Sequence, residues 1–152
     1  MIAAAYVALT MISAAFGLSS GAIQIRISEA LCVLPIFTLS AVPGVTIGCF
    51  IANIICGGTV YDIVFGTIAT LIAAVITYFI KTPILSSVPT IVSNSVIIPI
   101  VLIMSGVGGF NMFPYFALTV GLGEIISCGI LGTVLAVYMK KHPKISQVLF
   151  KV

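Results

Sequence analysis

A few polar side chains interrupt an otherwise apolar sequence, and these are the groups that could do chemistry. Glu124 stands alone in the run "VGLGEIISC", Asn53 has apolar neighbours, and Asn94 stands between two serines within an apolar segment. In "IQIRISEAL", Arg26 and Glu29 stand three positions apart among isoleucines. Carboxylates, amides and a guanidinium bind polar ligands through hydrogen bonds and ion pairs. Their spacing matches no hydrolase motif, phosphate-binding loop or metal site, so the sequence predicts binding without catalysis.

The composition places these groups in a membrane protein. The chain is 61% hydrophobic and 6% charged, with a mean hydropathy of +1.38. A soluble domain carries about 25% charged residues. Because so little polar surface is available, we predict one integral membrane domain over residues 1–152. We expect no cofactor, no bound metal and no nucleic acid, and we interpret the four cysteines as small helix-packing residues.

Six apolar segments predict an all-α bundle of six transmembrane helices. A spanning helix needs about 20 apolar residues, and the second segment is shorter than that. Prolines and glycines mark most of the segment ends. The predicted segments run from about Ile2 to Leu18, Ser28 to Leu39, Pro43 to Gly57, Tyr61 to Ile80, Pro83 or Val88 to Met104, and Phe113 to Lys141.

The basic residues predict the orientation of this bundle. Six helices put both termini on one side of the membrane, and all five lysines fall on that side. Arg26 alone falls on the other side. By the positive-inside rule the protein is a multi-pass cell-membrane protein with both termini cytoplasmic, a cytoplasmic tail over about 142–152, and Arg26 facing outward. The lysines are Lys81, Lys140, Lys141, Lys144 and Lys151.

Three polar side chains are expected at a similar depth. Glu124, Asn53 and Asn94 each lie ten or eleven residues beyond a proline at a predicted helix start, roughly 15 Å along the axis. An ionisable group near the bilayer centre costs ~2.5–3.5 kcal/mol, which makes Glu124 a functional candidate. A protonated Glu124 bonded to a neighbouring helix, and interhelical hydrogen bonds for the two amides, are the structural alternatives. Their convergence favours a ligand site.

Other polar residues have a local structural interpretation. Thr59 and Asp62 have capping-box spacing at the start of the fourth segment, so we assign Asp62 to structure. Ser28 is expected to be the N-cap of the second segment, with Glu29 in its first turn and able to form a salt bridge to Arg26. Small residues on one helix face predict close helix packing. Gly44 and Gly48 in the third segment are four residues apart, and Gly121, Cys128 and Gly132 share the Glu124 face of the sixth at offsets of seven and eleven.

Four stretches, in order along nearly the whole chain, resemble the QueT family. These are "IQIRISEALCVLP", "PGVTIGCFIANI", "DIVFGTIATLIAA" and "VGLGEIISC". The family comprises substrate-binding S-components of energy-coupling factor (ECF) transporters for queuosine precursors. The resemblance implies an S-component fold, a transmembrane coupling protein and two cytoplasmic ATPases as partners, and a 7-deazaguanine such as preQ1 or queuine as substrate. Ala4 and Ala8 match the Ala-x-x-x-Ala docking pattern of the first S-component helix.

A deazaguanine ligand would give each polar group a role. Glu124 would accept hydrogen bonds from N1–H and the exocyclic amine, and Arg26, Asn53 or Asn94 would donate to the carbonyl oxygen. If the ligand is preQ1, its ammonium would pair with Glu29. A flat base also favours an aromatic face, and the candidates are Phe65, Phe110, Phe113 and Tyr115.

Three alternatives remain open at this point. An S-component for another vitamin-like molecule would have the same fold with a different ligand. A small proton-coupled transporter would use Glu124 as its proton carrier and need no ATPase. A structural membrane subunit would bind no small molecule.

Overall fold

The computed structural model describes residues 1–18, 25–80 and 82–142, and all of their long regular elements are helices. The predicted all-α architecture of six helices is confirmed, with boundaries within about three residues of those expected. The helices are α1 (Ile2–Ala15), α2 (Ile27–Ile36), α3 (Ala41–Ile55), α4 (Asp62–Phe79), α5 (Leu85–Met104) and α6 (Phe110–Lys141).

Three of the helices are long and apolar enough to cross a membrane, namely α4, α5 and α6. The other three are shorter and also apolar. Large apolar side chains cover the outside of the bundle, where they would face lipid; examples are Ile47, Leu71, Val96, Leu118 and Val134. The surface therefore agrees with the composition, and the chain is a membrane protein.

Helix α2 differs from the prediction in both its type and its start. It is a 3₁₀ helix that follows Arg26, so Ser28 lies inside it and is not the N-cap. The Ser28 hydroxyl instead accepts a hydrogen bond from Thr10 Oγ1 of α1, at 2.8 Å. A 3₁₀ helix rises about 2.0 Å per residue against 1.5 Å for an α-helix. Ten residues therefore reach farther through the bundle than an α-helix of equal length would.

Helix α2 lies at the centre of the bundle. It packs against α1, α4 and α6, and most of its side chains are buried. The remaining neighbours follow chain order, with α3 against α1 and α4, and α5 against α4 and α6. Small residues allow this close packing, as predicted: a Cβ on Gly48 would lie 2.7 Å from Tyr6 Cβ, and one on Gly132 would lie 2.9 Å from Val33 Cγ1.

Tight turns end α3 and α5 at the same end of the bundle. Gly57 and Gly106 adopt φ angles of 71° and 80°, which side chains other than glycine rarely adopt. Helix α4 then starts with the predicted capping box. The Asp62 N–H donates to Thr59 Oγ1 at 3.2 Å, and the Thr59 N–H donates to Asp62 Oδ2 at 2.9 Å.

Two stretches of π-helix interrupt the α-helical hydrogen bonding. One is the first turn of α4, Asp62–Gly66, and the other is Ile125–Gly132 in the middle of α6. The second begins at the residue after Glu124. Such segments are rare and often occur at functional sites, and both adjoin the cavity described next.

Candidate ligand-binding site

A cavity of about 330 Å³ lies among the helices, and all five residues predicted to bind substrate line it. Its volume is within the range of small-molecule sites, about 300–1,000 Å³. Exposed Cys56 belongs to its wall, so the cavity opens at the end of the bundle where α3 ends and α4 begins. The lining residues are Ala14, Arg26, Glu29, Cys49, Asn53, Cys56, Gly58, Asp62, Gly66, Thr70, Asn94, Ile98, Leu102, Val120 and Glu124.

Glu124 and Asn94 form a hydrogen-bonded pair across α5 and α6. Asn94 Nδ2 donates to Glu124 Oε1 at 2.7 Å, and the two side chains are 4% and 8% exposed. Gly121 permits this approach of the helices, because a Cβ there would lie 3.0 Å from Ser95 Oγ. Glu124 and Asn94, which the sequence predicts at a similar depth, thus meet in the structure.

The other oxygen atoms of this pair have no partner. Glu124 Oε2 and Asn94 Oδ1 are buried without a hydrogen bond in the described residues, as are Thr90 Oγ1 and Ser127 Oγ. Thr90 precedes Asn94 by one turn on α5, and Ser127 follows Glu124 in the π-helical segment. Buried polar groups in native proteins nearly always have partners. The pair therefore has two acceptor oxygens to offer to the donors of a ligand.

Arg26 and Asn53 form a second polar contact in the cavity wall. Arg26 Nη1 donates to Asn53 Oδ1 at 3.2 Å, and Asn53 Nδ2 donates to the Asp62 backbone oxygen at 3.1 Å. Asn53 thus makes the interhelical bond that the sequence left as its alternative role. A Cβ on Gly66 would lie 3.3 Å from Asn53 Nδ2, so the glycine leaves room for the amide. The guanidinium has five N–H donors and can serve a ligand as well.

Glu29 is bonded to α1 and to its own helix. Tyr6 Oη donates to Glu29 Oε1 at 2.5 Å, and Cys32 Sγ donates to Oε2 at 3.1 Å. Glu29 does lie in the first turn of α2, as predicted. The salt bridge to Arg26 is not formed in the described residues, because Arg26 turns to Asn53 instead. The two residues are neighbours in the cavity wall without being an ion pair.

Asp62 also lines the cavity, although the sequence predicts only a helix cap for it. Its spacing of four residues from Gly66, and of eight from Thr70, places all three on one face of the helix and could have indicated this position. Asp62, Gly66 and Thr70 all line the cavity from one face of α4. Asn94, Ile98 and Leu102 do the same from α5, and Val120 and Glu124 do so from α6. One stripe per helix faces the cavity, and each stripe runs from the open end inward.

The predicted aromatic face is wrong. None of Phe65, Phe110, Phe113 and Tyr115 lines the cavity, and no other described aromatic residue does. Phe110 and Tyr115 are exposed, and Phe65 lies in an apolar groove of α4 and α5 with Ile97 and Met104. The apolar wall of the cavity is aliphatic instead, formed by Ile98, Leu102 and Val120.

The remaining predicted positions lie away from the cavity. Ala4 and Ala8 are exposed on α1, on the side opposite buried Tyr6 and Thr10. Lys140 and Lys141 are exposed at the end of α6. Lys81 and the tail from residue 143 lie outside the described residues.

Comparison with known proteins gives two matches. The family model described as QueT transporter matches residues 1–141. The curated protein named Queuosine precursor transporter QueT, from Lactococcus lactis subsp. cremoris (strain MG1363), is 39% identical over 72 residues. That match covers 47% of this chain and 42% of the relative, so it spans less than half of either protein. No solved structure matches the chain.

Proposed function

Since the chain belongs to the QueT transporter family, we propose that it is the substrate-binding S-component of an ECF importer and that its cavity binds a 7-deazaguanine precursor of queuosine. The observation that carries this proposal is the pair Glu124 and Asn94. It presents two buried acceptor oxygens without partners beside a cavity of small-molecule size.

The donors of a deazaguanine match these acceptors. N1–H and the exocyclic amine of the base are neighbouring donors, and the pair offers two acceptor oxygens without partners, Glu124 Oε2 and Asn94 Oδ1. A site with buried acceptors discriminates strongly against ligands that lack the matching donors, because the acceptors are then left unpaired. Arg26 is the cation in the cavity wall and would donate to the carbonyl oxygen of the base. The aliphatic side chains would cover the faces of the ring.

The proposed partners are a transmembrane coupling protein and two cytoplasmic ATPases. Support comes from the family and from Ala4 and Ala8, which are exposed and leave α1 a flat outer face for another helix. With both termini cytoplasmic, the cavity opens outward, as an importer that captures ligand outside the cell requires.

A thermal-stability screen of the detergent-purified chain tests the ligand. Binding to the folded state raises the melting temperature, and the stabilisation grows with the logarithm of the ligand concentration relative to Kd. We expect stabilisation by preQ1, preQ0 or queuine, weaker stabilisation by guanine, and none by common vitamins. Stabilisation by a vitamin and by none of the deazaguanines would contradict the proposed substrate.

An uptake assay tests the ECF partnership. Cells that express the chain should accumulate the ligand only when the coupling protein and the ATPases are also present. Uptake without them, driven by a pH gradient and abolished in Glu124→Gln, would instead identify a proton-coupled transporter. Absence of any small-molecule binding would leave a structural subunit.

A further inference from the structure

Every acidic residue of the chain lies in the wall of one cavity. The sequence has three, Glu29, Asp62 and Glu124, and all of them line the cavity together with its one arginine, Arg26. None of the three carboxylates lies within 4 Å of a basic nitrogen in the described residues. The cavity thus formally holds more negative than positive groups. A buried charge is costly without a partner, so a ligand that carries a positive charge would complement the carboxylates of the cavity.

The three carboxylates differ in how their oxygens are occupied. Both oxygens of Glu29 already accept a hydrogen bond, and its side chain is 2% exposed. Asp62 Oδ2 accepts from the Thr59 N–H and hydroxyl at 2.9 and 2.7 Å, whereas Asp62 Oδ1 has no partner among the described residues. Asp62 is also only partly buried. Its free oxygen is therefore the one that an incoming cation meets near the opening.

The ligand's orientation follows from the buried pair at the other end of the cavity. If Glu124 and Asn94 hold the donor edge of the base, its five-membered ring points away from them, toward the opening. Asp62 and Thr70 both line the cavity and stand eight residues apart on α4, roughly 10 Å along the axis because the first turn is π-helical. That distance suits a two-ring base with a short side chain. A substituent on the five-membered ring would then come to Asp62.

We propose that Asp62 recognises a protonated amine on the ligand, so that the site selects 7-deazaguanines with a cationic side chain over neutral ones. This inference rests on the proposed function. It assigns a specificity-determining role to a residue whose spacing predicts only a helix cap.

Two ligands with the same base and different charge test the proposal. The 7-aminomethyl compound (preQ1) is cationic, and the 7-cyano compound (preQ0) is neutral. Titrations of the purified full chain should show tighter binding of the aminomethyl compound. In Asp62→Asn its affinity should fall about five- to tenfold, with the cyano compound changed less than about twofold. The ratio of the two affinities is the readout, since a weakened helix cap would affect both ligands equally.

Glu29→Gln is the matched variant, because it neutralises a second carboxylate of the wall and leaves both Asp62 and Glu124 unchanged. We expect the ratio of the affinity for the aminomethyl compound to that for the cyano compound to be higher in Glu29→Gln than in Asp62→Asn. A ratio lowered by Glu29→Gln and not by Asp62→Asn would overturn the proposal and place the amine at Glu29. Equal losses for both ligands in Asp62→Asn would also overturn it and leave Asp62 with a structural role. If neither ligand binds the unmodified chain, the proposed deazaguanine-binding function fails. If both ligands bind but Asp62→Asn does not change their affinity ratio, only the role of Asp62 fails.

Discussion

At the residue scale, the hydrogen bond between Tyr6 and Glu29 links α1 to the cavity wall. Tyr6 is 1% exposed, and its hydroxyl donates to Glu29 Oε1 at 2.5 Å. A buried carboxylate depends on such donors, because it has lost its contacts with water. The bond therefore holds Glu29 in place and helps to fix the position of α2 against α1.

Tyr6→Phe removes this donor while it preserves the ring. We expect the variant to be less stable by ~1 kcal/mol, the scale of interhelical hydrogen bonds in membrane proteins. Thermal unfolding of the detergent-purified variants measures the change. Tyr138→Phe is the control, because Tyr138 is half exposed and should lose little. Equal melting temperatures for Tyr6→Phe and the unmodified chain would contradict a stabilising role of the bond.

The sequence predicted part of the site at this scale. Glu124 and Asn94 could be placed together because each stands at a similar distance from a helix start, and distance along a helix is readable from the chain. The partner of Arg26 could not be predicted, since Asn53 and Glu29 are both within its reach. The aromatic prediction failed because, in a helix that is apolar on all sides, the sequence does not show which side faces inward.

At the element scale, glycines set how closely the helices approach. Gly48 brings α3 against α1, where a Cβ would lie 2.7 Å from Tyr6 Cβ and 3.1 Å from Ala3 Cα. One of these contacts is with backbone, so a rotamer change alone cannot relieve the clash. The same interface positions Tyr6 for its bond to Glu29.

Gly48→Ala should therefore force α1 and α3 apart and destabilise the bundle by about 1–3 kcal/mol. Gly109→Ala is the matched control, because nothing lies within 4 Å of a Cβ there and its φ of −83° suits alanine. Thermal unfolding should show a clear loss for Gly48→Ala and little change for Gly109→Ala. Similar melting temperatures for the two variants would argue against tight packing at Gly48.

The elements themselves were predictable, whereas their helix types were not. Runs of apolar residues bounded by glycine and proline gave six helices at nearly the right positions. The 3₁₀ geometry of α2 and the π-helical turns of α4 and α6 depend on contacts between helices. A uniformly apolar segment has no polar stripe from which a period of 3.0, 3.6 or 4.4 residues could be read.

At the scale of the whole molecule, the cavity opens beside Cys56, and the charge bias predicts that this end of the bundle faces outward. Cys56 is exposed in the cavity wall, whereas Cys32, Cys49 and Cys128 are buried. The chain thus carries a single accessible thiol among its described residues, at the position that distinguishes the two orientations.

A membrane-impermeant maleimide should label Cys56 in intact cells that express the chain. The control is Lys141→Cys in a Cys56→Ala background. Lys141 is the last residue of α6 and is predicted to be cytoplasmic, so its thiol should react only after the membrane is permeabilised. The reverse pattern would show that the cavity opens to the cytoplasm, which an importer in its capture state does not allow.

The central claim is that Glu124 holds a deazaguanine in this cavity, and a binding titration of preQ1 against the purified chain and Glu124→Gln tests it most directly. Glutamine preserves the size of the side chain and an acceptor for Asn94, but it removes the negative charge and one acceptor oxygen. We predict saturable one-to-one binding by the unmodified chain, unchanged binding by the exposed-residue control Lys141→Gln, and binding more than about tenfold weaker by Glu124→Gln. Equal affinities for Glu124→Gln and the unmodified chain, or no saturable binding by the unmodified chain, would contradict the claim.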